Sequence, residues 1–397
     1  MKSKQLLFLI VAALALGGGG LMVLNNRQAD YQRSATDMGG KLLGGFEVNA
    51  VAGLRLSQGS NTLNVIKSGD SWTVKERGNY PANFGEVADL VRKLADLKVA
   101  QPQRVGLSRL PLLELTKEAA TTLELLGADG KPLKALLLGK KHVKGGGGEE
   151  SSPMGGGGYP DGRYVMVGSD IGSVAVVSDA LTSANPKPED WIAKEFIKVE
   201  FPISVQVTYA DATNSFRLTR TNEFADWTLA DLKAGEELDK NKLSAFSSIL
   251  SSASFNDVLV NSDPKILGLD QPTEALIQTS TGFTYKVHVG KAGADDSYPV
   301  QINVDAALVK ERVAGKDEKP EEKTKLDKEF AEKFAKQQEK LKAEQSLGKW
   351  AYSVSKWSMD VLLKKRGELF AEKKPDEKKP EAPASIDPLK LNLPGSN

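Results

Sequence analysis

At 397 residues, with 53 basic and 52 acidic side chains and a net charge of +1, the chain has no basic field of the kind a nucleic-acid surface needs. It has no cysteine, which excludes disulfides, thiolate nucleophiles, zinc–thiolate sites, iron–sulfur clusters and a lipoprotein anchor. The length allows two ordinary domains plus extensions.

Lys2 and Lys4 precede an uncharged apolar run from Leu6 to Leu24, closed by Asn25, Asn26 and Arg27. Such a helix is about 28 Å long, close to the ~30 Å hydrocarbon core of a bilayer. Residues 1–27 are therefore expected to form a signal anchor crossing the bacterial inner membrane once, with the basic head cytoplasmic and the bulk of the chain periplasmic. A signal peptide cleaved near Ala13-Leu14-Ala15 is the competing reading, and it too places the body outside the cytoplasm. Residues 28–45 read as a linker, polar and then glycine-rich.

The body is written twice. In 46–195, Leu54 and Leu56, Leu63 and Val65, and Trp72 and Val74 alternate with polar neighbours, describing three short antiparallel strands. Tyr80-Pro81-Ala82-Asn83 reads as a turn, with Asn83 capping a helix whose face is Val87, Leu90, Val91 and Leu94. Further strands are predicted at 121–126, 133–139, 163–167 and 173–178. In 196–371 the order returns: Val205 and Val207, Phe216 and Leu218, Trp227 and Leu229, then a helix face of Leu243, Phe246, Ile249 and Leu250. Strands follow at Leu276-Ile277, 285–289, 300–304 and 350–354. Ser71-Trp72-Thr73-Val74 recurs as Asp226-Trp227-Thr228-Leu229, and Leu136-Leu137-Leu138-Gly139-Lys140 as Val287-His288-Val289-Gly290-Lys291.

Two insertions break the symmetry. The glycine-rich loop 145–158 reads as flexible coil. The insertion 310–347 is rich in Lys and Glu, with Leu326, Phe330, Phe334 and Leu341 forming a narrow apolar stripe on a solvated helix. The acid-first spacings Glu329–Lys333 and Glu332–Lys336 favour that helix. The stripe pairs with its own neighbouring segment as a helical hairpin or docks on another protein, and these four residues are the candidate partner-binding set. The tail 372–397, of lysine, glutamate and proline, reads as disordered.

Reactive constellations are sparse. His142 and His288 are the only histidines, and neither has ligands at matched spacing. No Gly-Lys-Ser or Gly-Lys-Thr follows a glycine loop, so a nucleotide cradle is not indicated. Ser57, Ser60 and Ser68 sit in turns, and no Gly-x-Ser-x-Gly occurs. Asp161, Asp170, Asp295 and Asp296 are loop carboxylates with no spacing that pairs them. Trp72, Trp227, Trp350 and Trp357 are read as core anchors, with a sugar-stacking role for Trp72 and Trp227 as the alternative. His288 is read as solvent-facing.

Lys41-Leu42-Leu43-x-Gly45-Phe46-x-Val48-Asn49, Val51-Ala52-x-Leu54-x-Leu56, Gly69-Asp70-x-Trp72-x-Val74, Tyr80-Pro81-Ala82-Asn83 and Leu90-x-x-x-Leu94-x-x-Leu97-Lys98 together resemble the domain of unknown function 4340 family of bacterial membrane-anchored proteins. The likeness covers about residues 41–265, with the remainder matching more loosely. Some members resemble auxiliary components of gliding-motility-type ABC transport systems, so the resemblance implies an extracytoplasmic accessory role and carries over no catalytic residue.

The expected fold class is thus α+β: two tandem repeats of a mostly antiparallel sheet with one main helix each, plus an N-terminal transmembrane helix and a charged helical insertion. The expected function is a non-enzymatic, membrane-anchored extracytoplasmic accessory or scaffold with a protein partner in the cell envelope. No cofactor, metal, nucleotide or nucleic acid is expected. A glycan-binding module and a carboxylate-dependent hydrolase are the alternatives.

Overall fold

Leu54 and Leu56 are fully buried while Arg55 between them is exposed, as a strand with one covered face requires. The computed structural model describes residues 38–143, 160–293, 295–315 and 318–371. Within them the first sheet comprises β1 (Gly53–Gln58), β2 (Asn61–Ser68), β3 (Ser71–Val74), β4 (Tyr80–Pro81), β5 (Val99–Pro102), β6 (Thr121–Leu126), β7 (Pro132–His142), β8 (Gly162–Val167) and β9 (Ala175–Val177). The second comprises β10 (Pro202–Thr208), β11 (Phe216–Thr219), β12 (Thr228–Leu229), β13 (Asp257–Leu259), β14 (Thr273–Thr279), β15 (Phe283–Val289), β16 (Ser297–Ala306) and β17 (Ala351–Ser355).

The nine strands of the first sheet run β4-β3-β2-β1-β6-β7-β8-β9-β5, and the eight of the second run β12-β11-β10-β14-β15-β16-β17-β13. Every pairing is antiparallel. Without β4 the two orders coincide strand for strand. The register agrees as well: Val65 faces Val74 in the first sheet as Leu218 faces Leu229 in the second. Each copy also closes the same way. Ala82 bridges Ile192, and Leu238 bridges Phe370. The Ala193 N–H donates to Pro81 O at 2.9 Å, and the Ala371 N–H to Glu237 O at 2.9 Å. Strands β4, β5 and β13 have no counterpart among the predicted elements: they are short and their apolar residues do not alternate with polar ones in a readable run.

The helices differ between copies. In the first, α1 (Phe84–Asp96) is capped by the Asn83 side chain, which accepts from the N–H groups of Gly85 (3.0 Å) and Glu86 (3.4 Å). It buries Val87, Leu90, Val91 and Leu94. In the second, α2 (Lys240–Ser244) gives way to a 3-10 turn over Ala245–Ser248, so the equal helix predicted there is a correction. Serines compete for its backbone: Ser244 Oγ donates to Asn241 O (2.7 Å) and Ser248 Oγ to Ala245 O (3.3 Å). Leu243, Phe246, Ile249 and Leu250 are nevertheless buried. The short α3 (Pro264–Leu267) precedes β14, and the long α4 (Pro320–Ser346) fills the connection between β16 and β17.

One apolar cluster runs through both copies, from Leu42 to Leu369. Tyr80 of the first copy stacks edge-on to Trp350 at 5.3 Å, and Tyr352 packs on Phe255 (4.9 Å) and Phe196 (5.0 Å). Beside them Arg77 reaches across to Asp257, Nε to Oδ1 at 2.6 Å and Nη2 to Oδ2 at 2.7 Å, and Nη2 also meets Glu189 at 3.1 Å. Hydrogen bonding to Asp257 holds this guanidinium more firmly charged than usual. Leu137, between Leu136 and Leu138 of the main core, points to the opposite face and joins a smaller cluster of Leu115, Ala120, Met166 and Val174.

Among the described residues no helix is long and apolar enough to cross a membrane. The 27-residue α4 carries seven lysines and seven acidic side chains. The membrane helix predicted over 1–27 lies outside the described residues, as do the glycine loop 145–158 and the tail 372–397. The fold class is therefore corrected to two antiparallel sheets of nine and eight strands, with no membrane-crossing helix among the described residues. The single-pass inner-membrane placement, the membrane as a partner and the role as a membrane-anchored envelope accessory are corrected with it.

Candidate functional site

Two features stand apart from the packed body: the helical arm α4 and a cleft beside Trp227.

The carboxyl-terminal end of the arm is bolted to the second sheet. Glu344 is buried, with Oε1 accepting from the Lys198 N–H at 2.9 Å and Oε2 from the Tyr285 hydroxyl at 3.0 Å. Lys340 Nζ donates to Glu200 (2.7 Å) and to Lys198 O (2.7 Å), and lies 5.1 Å over the Phe283 ring. Leu341 packs on the core. Towards its amino-terminal end the arm is clipped by Arg312, which forks onto Glu318 and reaches Asp327 at 2.8 Å. Hydrogen bonds from Arg312 hold the Glu318 carboxyl down to about 2.

Leu326, Phe330 and Phe334 lie half-buried on the arm, outside both apolar clusters, with the two phenyl rings parallel at 6.5 Å. Val313, near the root, is 92% exposed. The structure thus separates the four predicted residues, keeping Leu341 for packing and leaving three on the arm. The insertion holds one helix among the described residues, so the hairpin alternative is corrected. The i,i+4 ion pairs along it are Lys325–Glu329 (3.8 Å), Lys328–Glu332 (4.0 Å) and Lys340–Glu344 (4.0 Å), base-first rather than the acid-first pairs the spacing favoured.

Burial pushes the Glu344 carboxyl above its ordinary 4.5. A folded-state value above the unfolded one means that this group's contribution is fully present below 4.5 and is lost as pH rises through the raised value. Glu344→Gln is therefore expected to gain stability relative to the parent as pH rises from about 5 to about 8, read by urea unfolding. A difference constant over that range would assign the pH slope to other groups.

The cleft, of about 330 Å³, lies between β12 and the Leu238–Ser247 segment. Arg220 stacks on the Trp227 ring at 4.5 Å, with Nε donating to Pro202 O (2.7 Å) and Nη1 to Ser247 Oγ (3.0 Å). Trp227 Nε1 donates to the same hydroxyl at 3.1 Å. No carboxylate comes within ion-pairing distance of Arg220 among the described residues, and Phe224 stands at the rim, 91% exposed. The repeat register sets Arg220 against Lys67, and Ser247 against the buried Val91. The second copy therefore keeps a cation at the first of these positions and places a hydroxyl where the first copy is apolar. The doublet of tryptophans pointed here; Ser247 carried no sequence signal.

The remaining candidates do not converge. His142 Nδ1 lies 2.8 Å from Asp161 on the first sheet, whereas His288 is on the second, in β15. His288 Nε2 is buried without a hydrogen bond, so the solvent-facing reading is corrected for that atom, and burial lowers its pKa. Asp170 caps a local turn by accepting from the Gly172 N–H, and Asp295 accepts from Ser297 Oγ. No group of three His, Asp or Glu residues suited to a metal occurs among the described residues. Trp227 is 7% exposed beneath Arg220, and Trp72 packs against the core, which leaves no open pair of indole faces for a glycan clamp. Trp357, predicted as a core anchor, is 83% exposed.

The repeated glycines hold a structural place. A Cβ at Gly139 would meet Leu113 O at 2.2 Å, and one at Gly290 would meet Leu267 O at 2.1 Å.

The profile of a family described as Domain of unknown function (DUF4340) matches residues 72–272, from β3 of the first copy to the start of β14 in the second. No curated protein and no solved structure matches the chain.

Proposed function

Because the chain belongs to the DUF4340 family, whose description assigns no chemistry, we propose that it is a non-catalytic protein-binding module that engages an amphipathic helix of another protein along α4. The observation that carries this reading is the placement of Leu326, Phe330 and Phe334 on a rod about 40 Å long, bolted to the body at its carboxyl-terminal end and clipped to its own leading segment at the other, yet contributing to neither core. Apolar side chains four residues apart form one stripe, the pattern by which helices grip one another. Equal numbers of lysines and acidic residues along the arm favour a partner helix of mixed charge rather than a strongly charged surface. The non-catalytic part of the reading is supported by the dispersal of both histidines and of the loop carboxylates over two sheets.

The test is a crosslinking pull-down with the parent and the double variant Phe330→Glu/Phe334→Glu. Loss of a discrete crosslinked partner by the variant, with the urea midpoint nearly unchanged, is the expected result. Equal recovery by both proteins would remove the arm from the interface.

A further inference from the structure

We propose that the cleft beside Trp227 receives an extended, acidic peptide segment of another protein, added as a strand to the outer edge of β12. This site is separate from the arm and does not depend on it.

The first copy supplies the template. Its corresponding edge strand, β3, is covered: Thr73 faces Pro81 and Val74 faces Tyr80 in β4, and the Ala82 N–H donates to Trp72 O at 2.8 Å. In the second copy no strand pairs with the outer side of β12 among the described residues. Leu238, the counterpart of Ala82, keeps its bridge to Phe370 but makes no backbone bond to Trp227. The gap between Leu238 and Trp227 is the cleft itself.

The segment that would close this seam is held elsewhere. Arg366 binds both carboxylate oxygens of Glu236 (2.8 and 2.7 Å) and reaches Asp231 through Oδ2 (3.2 Å) and its carbonyl (3.0 Å). An uncovered edge presents unpaired backbone donors and acceptors, and an incoming strand satisfies them.

The charge of the occupant follows from Arg220. Its guanidinium is fixed by Pro202 O, Ser247 Oγ and the Trp227 ring, while Nη2 has no partner among the described residues. Lys240, the other cation lining the cleft, is already paired with Asp226 at 2.7 Å. Glu223 of the same cleft acts on this guanidinium only at longer range, and a preorganised guanidinium that no carboxylate contacts suits one delivered by the ligand. Phe224 at the rim supplies an apolar contact for a neighbouring side chain of the strand.

The intact chain is titrated, by fluorescence anisotropy, with blocked hexapeptides that alternate valine with one variable position set to Glu, Gln or Lys. A peptide with the Glu sequence but with N-methylated backbone amides serves as the strand control, and glutarate as the free-carboxylate control. The Glu peptide is expected to bind at least 10-fold more tightly than the Gln peptide. N-methylation is expected to abolish binding, and Arg220→Gln to weaken it at least 10-fold. The milder Ser247→Ala, which leaves the guanidinium in place, is expected to weaken it a few-fold. Equal binding of Glu and Gln peptides, or of methylated and unmethylated peptides, would overturn the proposal, as would glutarate competing as well as the peptide. Absence of saturation by every peptide in the set would overturn it equally. None of these outcomes bears on the crosslinking result at Phe330 and Phe334.

Discussion

Gly290→Ala is expected to destabilise the protein by about 3 kcal/mol or more, with Gly139→Ala acting alike in the other copy. Neither glycine has a left-handed φ, so conformational freedom is not the cause. The cause is close approach. The carbonyl of Leu267, at the end of α3, sits over Gly290 and accepts a hydrogen bond from the Lys291 N–H at 2.9 Å. A methyl group 2.1 Å from that oxygen would force the helix end off the sheet and sever the bond. At Gly139 the methyl would also meet the Leu115 side chain at 2.8 Å, within the smaller apolar cluster. Urea unfolding of each variant measures the loss. Losses below about 1 kcal/mol at both sites would mean that the carbonyls yield at little cost.

Arg77→Ala is expected to cost about 3 kcal/mol, because it leaves Asp257 with a half-buried charge at the junction of the two copies. Arg77→Lys should recover only part of this, since an ammonium cannot reproduce the two-point contact with both Asp257 oxygens. A double-mutant cycle with Asp257→Ala isolates the pair, and a coupling of about 1–3 kcal/mol is expected. Coupling near zero would assign the junction's strength to Tyr80, Phe255, Trp350 and Tyr352 instead.

Individual strands, though not their order in either sheet, were legible where one face is buried. Leu54/Leu56 and Tyr285/Val287 mark their strands by alternation alone. The strand following the helix in each copy, β5 or β13, was not legible. It crosses to the far edge of its sheet, and its partners lie 78 and 96 residues away at Val99–Val177 and Asp257–Ser353. The arm was legible as a charged helix, but not the bolt at its end, because nothing local marks Glu344 as the one acid of seven that is buried. The cleft was the least legible feature. It arises from what the second copy fails to pair, and an absent pairing leaves no periodicity to read.

The junction between the copies joins unlike faces, the loop after β3 of one to β13 and β17 of the other. A head-to-tail contact of this kind is not self-limiting, since each added unit offers a fresh head. Here the loop after β12 holds Asp231 and Glu236 where its counterpart holds Arg77, and the arginine comes instead from the closing turn, as Arg366 rather than the acidic Glu189. The polarity of the lock is reversed, and its charges are spent within the second unit. A further unit approaching the second copy in the same way would meet carboxylates already engaged by Arg366, not a free arginine.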